Sequence, residues 1–108
     1  MTRIADASFS AGGKMYAFSA YSADTRFNDV SAVYIFTKRI VVEGKGSHSF
    51  LYIGETGELG KRIARHEKWE CVNEEGCNCI CVHLVSGEKN RRAIEAAFLQ
   101  ENAPPCND

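Results

Sequence analysis

The fold is decided by residues 30–37, VSAVYIFT, and residues 50–53, FLYI. Both stretches are rich in β-branched and aromatic residues, a composition typical of buried strands. A glycine-rich connection, residues 43–47, separates them. The pattern therefore predicts an antiparallel hairpin with a longer loop.

Two helices and a third strand are predicted downstream of the hairpin. Thr56 is a candidate N-cap for a helix that ends at about residue 70, with Glu58 complementing the helix dipole in its first turn. Residues 78–85, NCICVHLV, alternate as a strand does. Residues 88–101 predict the second helix, which the prolines that follow bring to an end.

The predicted fold class is α/β of the α+β type, with a small, mainly antiparallel three-stranded sheet covered by helices. The 108 residues are enough for one hydrophobic core and too few for two. Residues 31–108 hold this core. Residues 1–30 form an N-terminal extension packed on or beside it, in which residues 14–21 favour an extra strand.

The composition, 44% hydrophobic and 25% charged, is ordinary for a soluble globular protein. No apolar run approaches the length that a membrane span needs, and the first residues lack the apolar stretch of a secretory signal. We therefore expect a cytoplasmic protein with no membrane partner. Five cysteines are an odd number and cannot all pair within one chain, and in that reducing compartment we expect them to be thiols.

One face of the third predicted strand carries alternating metal-ligand types, namely Cys77, Cys79, Cys81 and His83. Together with Cys71 they raise the alternative of a zinc-dependent interaction domain. Same-face residues of a strand lie about 6.5–7 Å apart, which is too far to gather three or four ligands in a line around one ion. Small apolar residues in a strand covered on both sides are the favoured interpretation.

The charge is unevenly distributed along the chain. The net charge of −1 argues against a strongly basic nucleic-acid-binding protein. Residues 38–68, however, carry seven basic and four acidic side chains, a net charge of +3, whereas residues 69–108 have a net charge of −4. The positive middle is suited to phosphate, and a mixed solvated surface is the alternative.

Several short motifs follow one another on the predicted elements. In chain order they are Ala32-Val33-Tyr34, Tyr52-Ile53-Gly54, Arg62, His66, Glu95, Pro104 and Asn107. This series resembles the GIY-YIG endonuclease family, with Ala32 in place of the first glycine. The resemblance covers residues 31–107 and implies that residues 31–108 are a GIY-YIG-like nuclease domain.

The resemblance implies a DNA endonuclease that hydrolyses phosphodiester bonds with a divalent cation. Glu95 would hold one Mg²⁺ or Mn²⁺, because a single carboxylate suits one hydrolytic metal and its waters. Tyr34 would deprotonate the attacking water and Tyr52 would orient water or phosphate, although the sequence does not decide between them. A phenol near pKa 10 is about 4 kcal/mol from phenolate at pH 7, so Arg62 and the cation must narrow that gap.

Further roles follow from the same resemblance. Arg62 would stabilise the phosphorane, His66 would bind phosphate or assist proton transfer, and Asn107 would tie the C-terminal tail to the site. The candidate nucleic-acid-binding residues are Lys38, Lys61, Arg62, Arg65 and His66. The DNA partner can be single-stranded, duplex or branched, and a protein partner can supply specificity.

Each candidate also has a purely structural alternative. Glu95 would pair with Arg91 one turn earlier, as an ordinary helix ion pair. Both tyrosines would be core side chains, and His66 would be a partly buried histidine packed beside Ile63. Arg62 would be a surface arginine, and Asn107 would be a frayed terminal residue. For the whole chain, the alternative is a non-catalytic nucleic-acid-binding module on the same fold.

Overall fold

The computed structural model describes residues 3–107. The predicted domain limits at residues 1 and 108 lie outside these residues. Five strands and three helices follow in the order β1 (Ala5–Ala11), β2 (Lys14–Ser22), β3 (Ala32–Val42), β4 (Lys45–Thr56), α1 (Leu59–Ala64), α2 (Trp69–Glu74), β5 (Cys79–Leu84) and α3 (Glu88–Glu101).

The five strands form one antiparallel sheet in the order β1-β2-β5-β3-β4, curled into a half-barrel. The predicted three-stranded sheet covered by helices is therefore wrong. β5, the last strand in the chain, lies in the middle of the sheet and joins the N-terminal hairpin to the β3–β4 hairpin. Strands β1 and β2 share this sheet with the remaining three.

The amino-acid composition of β1 does not indicate that it forms a strand of the β1–β2 hairpin. β1 consists mostly of small residues, which have little intrinsic strand preference. Its turn is the dipeptide Gly12-Gly13, with φ of +58° and +77°, a conformation that suits a two-residue hairpin turn and that glycine adopts without a Cβ penalty. The Gly-Gly pair is the signal from which the extra strand β1 could have been predicted.

The β3–β4 hairpin is confirmed, but both strands are longer and the turn is tighter than predicted. Only Glu43 and Gly44 lie between the strands, both with positive φ. The register then shifts: Phe36 pairs with Tyr52, whereas Thr37 pairs with Phe50. Leu51 is thus the extra residue of a β-bulge, and the alternation of side chains reverses there.

The helix predicted from Thr56 to about residue 70 is wrong, because the chain forms two short helices interrupted at residues 65–68. The first amides of α1 are satisfied by the loop before β3: Val30 and Asn28 carbonyls accept from Leu59 and Gly60, and the Asp29 carboxylate accepts from the Lys61 N–H at 2.7 Å. The predicted helix at residues 88–101 is confirmed.

Helices pack on both faces of the sheet. The α1–α2 face is formed by β-strand side chains including Ala32, Tyr34 and Phe36, and it buries side chains of both short helices. The α3 face includes Val33 and Ile35 and buries Phe98 of α3. Within residues 3–107, no helix is both long and apolar enough to cross a membrane.

A disulfide joins Cys71 of α2 to Cys106 near the C-terminus, with a Cα–Cα distance of 5.8 Å. The prediction that all five cysteines are thiols is therefore wrong for this pair, and Cys77, Cys79 and Cys81 are free. The pairing depends on the C-terminal tail folding back along β4, where the Cys106 N–H donates to the Leu51 carbonyl at 2.9 Å. The spacing of the cysteines along the sequence does not indicate that the C-terminal tail folds back to β4.

Candidate functional site

The centre of the site is a buried tyrosine–histidine pair on the α1–α2 face. The Tyr34 hydroxyl lies 2.8 Å from Nε2 of His66, which follows α1. Tyr34 is fully buried and His66 is 4% exposed. Tyr52 lies beside them, half-buried, with its ring centroid 6.1 Å from that of Tyr34 and 4.7 Å from that of His66.

Gly54 makes this arrangement sterically feasible. It pairs directly with Tyr34 across the β3–β4 ladder. A Cβ at position 54 would lie 2.6 Å from both Cζ and Oη of Tyr34 and 2.9 Å from Cε2 of Tyr52. Only glycine therefore lets the Tyr34 ring lie flat over the neighbouring strand and reach His66.

The hydrogen bonds of His66 define its tautomer. Burial first, and the charge of Arg62 next, lower the pKa of His66 to about 4, so the ring is neutral at pH 7. Its Nδ1 accepts the backbone N–H of Lys68 at 3.1 Å and therefore carries no proton. The single ring proton lies on Nε2 and is donated to the Tyr34 hydroxyl oxygen.

Tyr34 is a neutral phenol in the free protein. Burial, and secondarily the neighbouring Tyr52, raise its pKa above the ordinary value of 10.0, while the charge and hydrogen bonding of Arg62 act in the opposite direction. Because the oxygen of Tyr34 accepts from His66, its own proton is directed away from the imidazole. The phenol is thus oriented, and two donors are already placed to support a phenolate.

Arg62 is held next to this pair by Glu67. The guanidinium Nη2 donates to Oε1 of Glu67 at 3.0 Å, and Nη1 makes a second contact with Oε2. This forked hydrogen bond lowers the pKa of Glu67 to about 2 and raises the pKa of Arg62. Sequence reasoning missed Glu67, because the five-residue separation is not a helical neighbour spacing and the pair forms only across the break after α1.

The basic side chains of α1 border a shallow depression of about 270 Å³, lined by Thr56, Glu58, Lys61, Arg62 and Arg65. The structure thus brings three of the predicted nucleic-acid-binding residues together. Lys61 is paired with Glu58 at 2.8 Å, whereas Arg65 forms no ion pair with any residue between 3 and 107.

Glu95 lies on α3 and makes no hydrogen bond or ion pair within residues 3–107. Burial, and then the charge of Glu55, raise the pKa of Glu95. The alternative pairing of Glu95 with Arg91 does not form, because Nε of the buried Arg91 donates to Oε1 of Glu55 at 2.9 Å. Sequence reasoning missed this partner because Glu55 and Arg91 are 36 residues apart.

The structure does not bring Glu95 into contact with the tyrosine–histidine pair. Its helix covers the opposite face of the sheet. The connection between the two regions is the turn after β4: a Cβ at Gly57 would lie 3.5 Å from Nη2 of Arg91, and Thr56 of the same turn lines the depression beside Arg62.

Asn107 has a structural role beside the site, and Lys38 lies farther along β3. The Asn107 side chain accepts from the Ile53 N–H and donates to the Ile53 carbonyl, both at 2.9 Å, so it fastens the C-terminal tail to β4. Lys38 is four residues beyond Tyr34 on β3, about 13 Å by strand rise, and its side chain packs towards Gly76.

Comparison of the chain with protein-family models, with curated proteins and with solved structures finds no match. The resemblance to GIY-YIG endonucleases therefore depends on the residues of this chain alone. Its functional meaning must be argued from the chemistry of the site.

Proposed function

We propose that this protein is an endonuclease that hydrolyses DNA phosphodiester bonds with one divalent cation. The observation that carries the proposal is the placement of the Arg62 guanidinium beside the oriented Tyr34 phenol, at the edge of a basic depression. A phosphodiester requires a cation on its oxygens and a group that positions the attacking water. Arg62 would supply the cation on the phosphate oxygens, and the adjacent Tyr34 would supply the group that positions the water.

Phosphate binding is the first step of the proposal. The planar guanidinium of Arg62 can engage two phosphate oxygens, and Lys61 and Arg65 add charge on the same depression. In the free protein Glu67 occupies the Arg62 fork. A phosphodiester therefore binds by replacing one carboxylate with a phosphate at the same two donors.

Glu95 suits the cation. A half-buried carboxylate whose pKa is raised by burial and by a second carboxylate gains from a nearby positive charge, and carboxylate oxygen is a ligand that Mg²⁺ and Mn²⁺ prefer. Glu55 is committed to Arg91, which leaves Glu95 as the protein ligand. When bound, the cation supplies Lewis-acid stabilisation of phosphate charge.

In this proposal the Tyr34 phenol first loses its proton to solvent, and the resulting phenolate positions the attacking water and accepts its proton. Loss of the Tyr34 proton leaves a phenolate that His66 Nε2–H and Arg62 already face, and donors aimed at a developing charge need no reorganisation. Because burial raises the Tyr34 pKa, the reactive form is scarce at pH 7. The cleavage rate should accordingly keep rising with pH through the neutral range.

A non-catalytic nucleic-acid-binding module is the second candidate. The observation that favours it is the complete burial of Tyr34 beneath Tyr52, together with the position of Glu95 on the other face. In that case Arg62 and its basic neighbours would bind backbone phosphates without turnover.

The test is cleavage of labelled single-stranded, duplex and branched DNA with Mg²⁺ or Mn²⁺, comparing the native protein with Glu95→Gln and Tyr34→Phe. Glu88→Gln, an exposed carboxylate on the same helix, is the matched control. We expect metal-dependent cleavage that falls more than about 100-fold in the first two variants and is retained in the control. No cleavage of any substrate, with equal DNA binding by all proteins, would favour the binding module.

A further inference from the structure

We propose a zinc-binding site on the α3 face, formed by His48 of β4 with Cys79 and Cys81 of β5. The two sulfurs lie 4.0 Å apart, and the Cys81 sulfur lies 3.8 Å from Nδ1 of His48. All three ligand atoms lie within 4.8 Å of one another. This site is separate from the proposed nuclease chemistry and does not depend on it.

The distances match those of a zinc centre with little rearrangement. With Zn–S bonds of about 2.3 Å and a Zn–N bond of about 2.05 Å, tetrahedral geometry places two sulfurs about 3.8 Å apart and a sulfur and a nitrogen about 3.6 Å apart. The sulfur–sulfur separation and the separation of the Cys81 sulfur from His48 exceed these values by about 0.2 Å, and the Cys79 sulfur lies within 4.8 Å of a His48 ring nitrogen. A cation can therefore contact the three ligands after side-chain rotations that bring Cys79 and His48 closer together.

The objection from strand geometry does not apply to this set. Backbone positions two apart on β5 are widely spaced, yet the side chains of Cys79 and Cys81 converge. The third ligand comes from β4, on the other side of β3, rather than from Cys77 or His83 on the same strand. Two thiolates and one imidazole constitute a ligand set that zinc prefers, with the fourth position left for solvent or a further group.

Polar groups converge on this point in a face that is otherwise largely apolar. The buried Thr37 hydroxyl lies 2.9 Å from Nδ1 of His48, and this hydrogen bond must break when Nδ1 binds a cation.

Access is provided by His48 itself. It is half-buried and lines a surface depression of about 280 Å³ together with Phe50 and residues 102–104, whereas both cysteines are buried. A cation entering there would bridge β4 and β5 across β3. Zinc binding is therefore expected to stabilise the central strands of the sheet.

The test uses the full chain without added thiol, so that the Cys71–Cys106 disulfide remains formed. The metal-free protein, prepared anaerobically, is titrated with Co²⁺ and then with Zn²⁺. We expect one Co²⁺ per chain, with sulfur-to-cobalt charge-transfer absorption that Zn²⁺ abolishes by displacement. The melting temperature should rise with Zn²⁺ concentration.

Cys81→Ser and His48→Gln are the site variants, and Cys77→Ser is the matched control, since Cys77 is a free cysteine that packs with the opposite face. Losing a ligand should weaken Zn²⁺ binding more than about 100-fold, beyond the cost of losing an outer-shell partner. The control should bind as the native protein does. Cobalt spectra without thiolate absorption, or equal Zn²⁺ affinity in native and Cys81→Ser proteins, would overturn the proposal. Circular dichroism establishes that each variant is folded.

Discussion

Replacing Gly54 by alanine tests the steric basis of the tyrosine–histidine pair. The new Cβ would lie 2.6 Å from the Tyr34 ring and its hydroxyl, whereas carbon atoms pack at about 3.5–4.0 Å. The Tyr34 side chain must therefore withdraw by about 1 Å, which breaks its 2.8 Å hydrogen bond to His66. Both residues are buried, so neither can replace the lost hydrogen bond with one to water.

The expected cost follows from three terms. Overpacking of a core costs about 1–3 kcal/mol, and loss of a buried hydrogen bond adds about 1 kcal/mol. Alanine also restricts the unfolded chain more than glycine does, and this lower conformational entropy stabilises the folded state by about 0.4–1 kcal/mol. The net loss of unfolding free energy should be about 1–3 kcal/mol, and each kcal/mol lowers the melting temperature by about 4–8 °C.

Gly57→Ala is the matched control for this substitution. A Cβ at Gly57 meets only Nη2 of Arg91, at an ordinary 3.5 Å. Urea unfolding should place this variant at or slightly above native stability and Gly54→Ala well below it. Equal unfolding free energies for the two variants would refute the reasoning, and so would an unchanged ¹H chemical shift of the His66 Nε2–H in Gly54→Ala, since that proton is donated to Tyr34.

Three other perturbations test different parts of the structure. Replacing both Cys71 and Cys106 by serine should cost about 3–4 kcal/mol of unfolding free energy, given the 35-residue separation, whereas Cys77→Ser should cost far less; urea unfolding compares them. Glu67→Gln removes the carboxylate that pairs with the Arg62 guanidinium, and it should tighten DNA binding about 1.5- to 5-fold at low salt. Glu70→Gln removes the same charge elsewhere and is the control. If Glu70→Gln tightened DNA binding as much as Glu67→Gln does, the argument from the Arg62–Glu67 pair would be contradicted. The pKa of His66 is lowered to about 4, so between pH 4 and about 6.5 the unfolded chain binds more protons than the folded chain. The unfolding free energy should therefore fall by up to about 3 kcal/mol as the pH falls through that window. His66→Gln should flatten this dependence of the unfolding free energy on pH.

Local patterns predicted the elements that local forces determine. The helix α3 is delimited by Gly87 before it and prolines after it, and both limits were readable. The clustering of Tyr34, Tyr52 and Arg62 was likewise within reach, because adjacent strands and the helix that follows them are close in space. The sequence resemblance supplied His66, but not its role as the donor to Tyr34.

The pairing of segments that are far apart in the sequence could not be predicted from local patterns. Nothing local to β1 and β2 indicates that β2 pairs with β5, a strand about 60 residues later. The Cys71–Cys106 disulfide, the Glu55–Arg91 ion pair and the Arg62–Glu67 contact all depend on segments meeting across loops. Each was missed for the same reason, since propensity and periodicity describe neighbours along the chain only.

The bulge at Leu51 determines how the two candidate sites share one sheet. His48 and Tyr52 are four residues apart on β4, and in a regular strand they would lie on the same face. The extra residue reverses the alternation, so His48 faces Cys79 and Cys81 while Tyr52 faces Tyr34. The intervening sheet then separates thiol ligands from the phosphate-binding side, and losses of zinc binding and of DNA cleavage should be separable by mutation. Deleting Leu51 removes the extra residue and leaves His48 and Tyr52 three positions apart in a regular strand, so each side chain should keep its present face and both sites should survive the loss of the bulge.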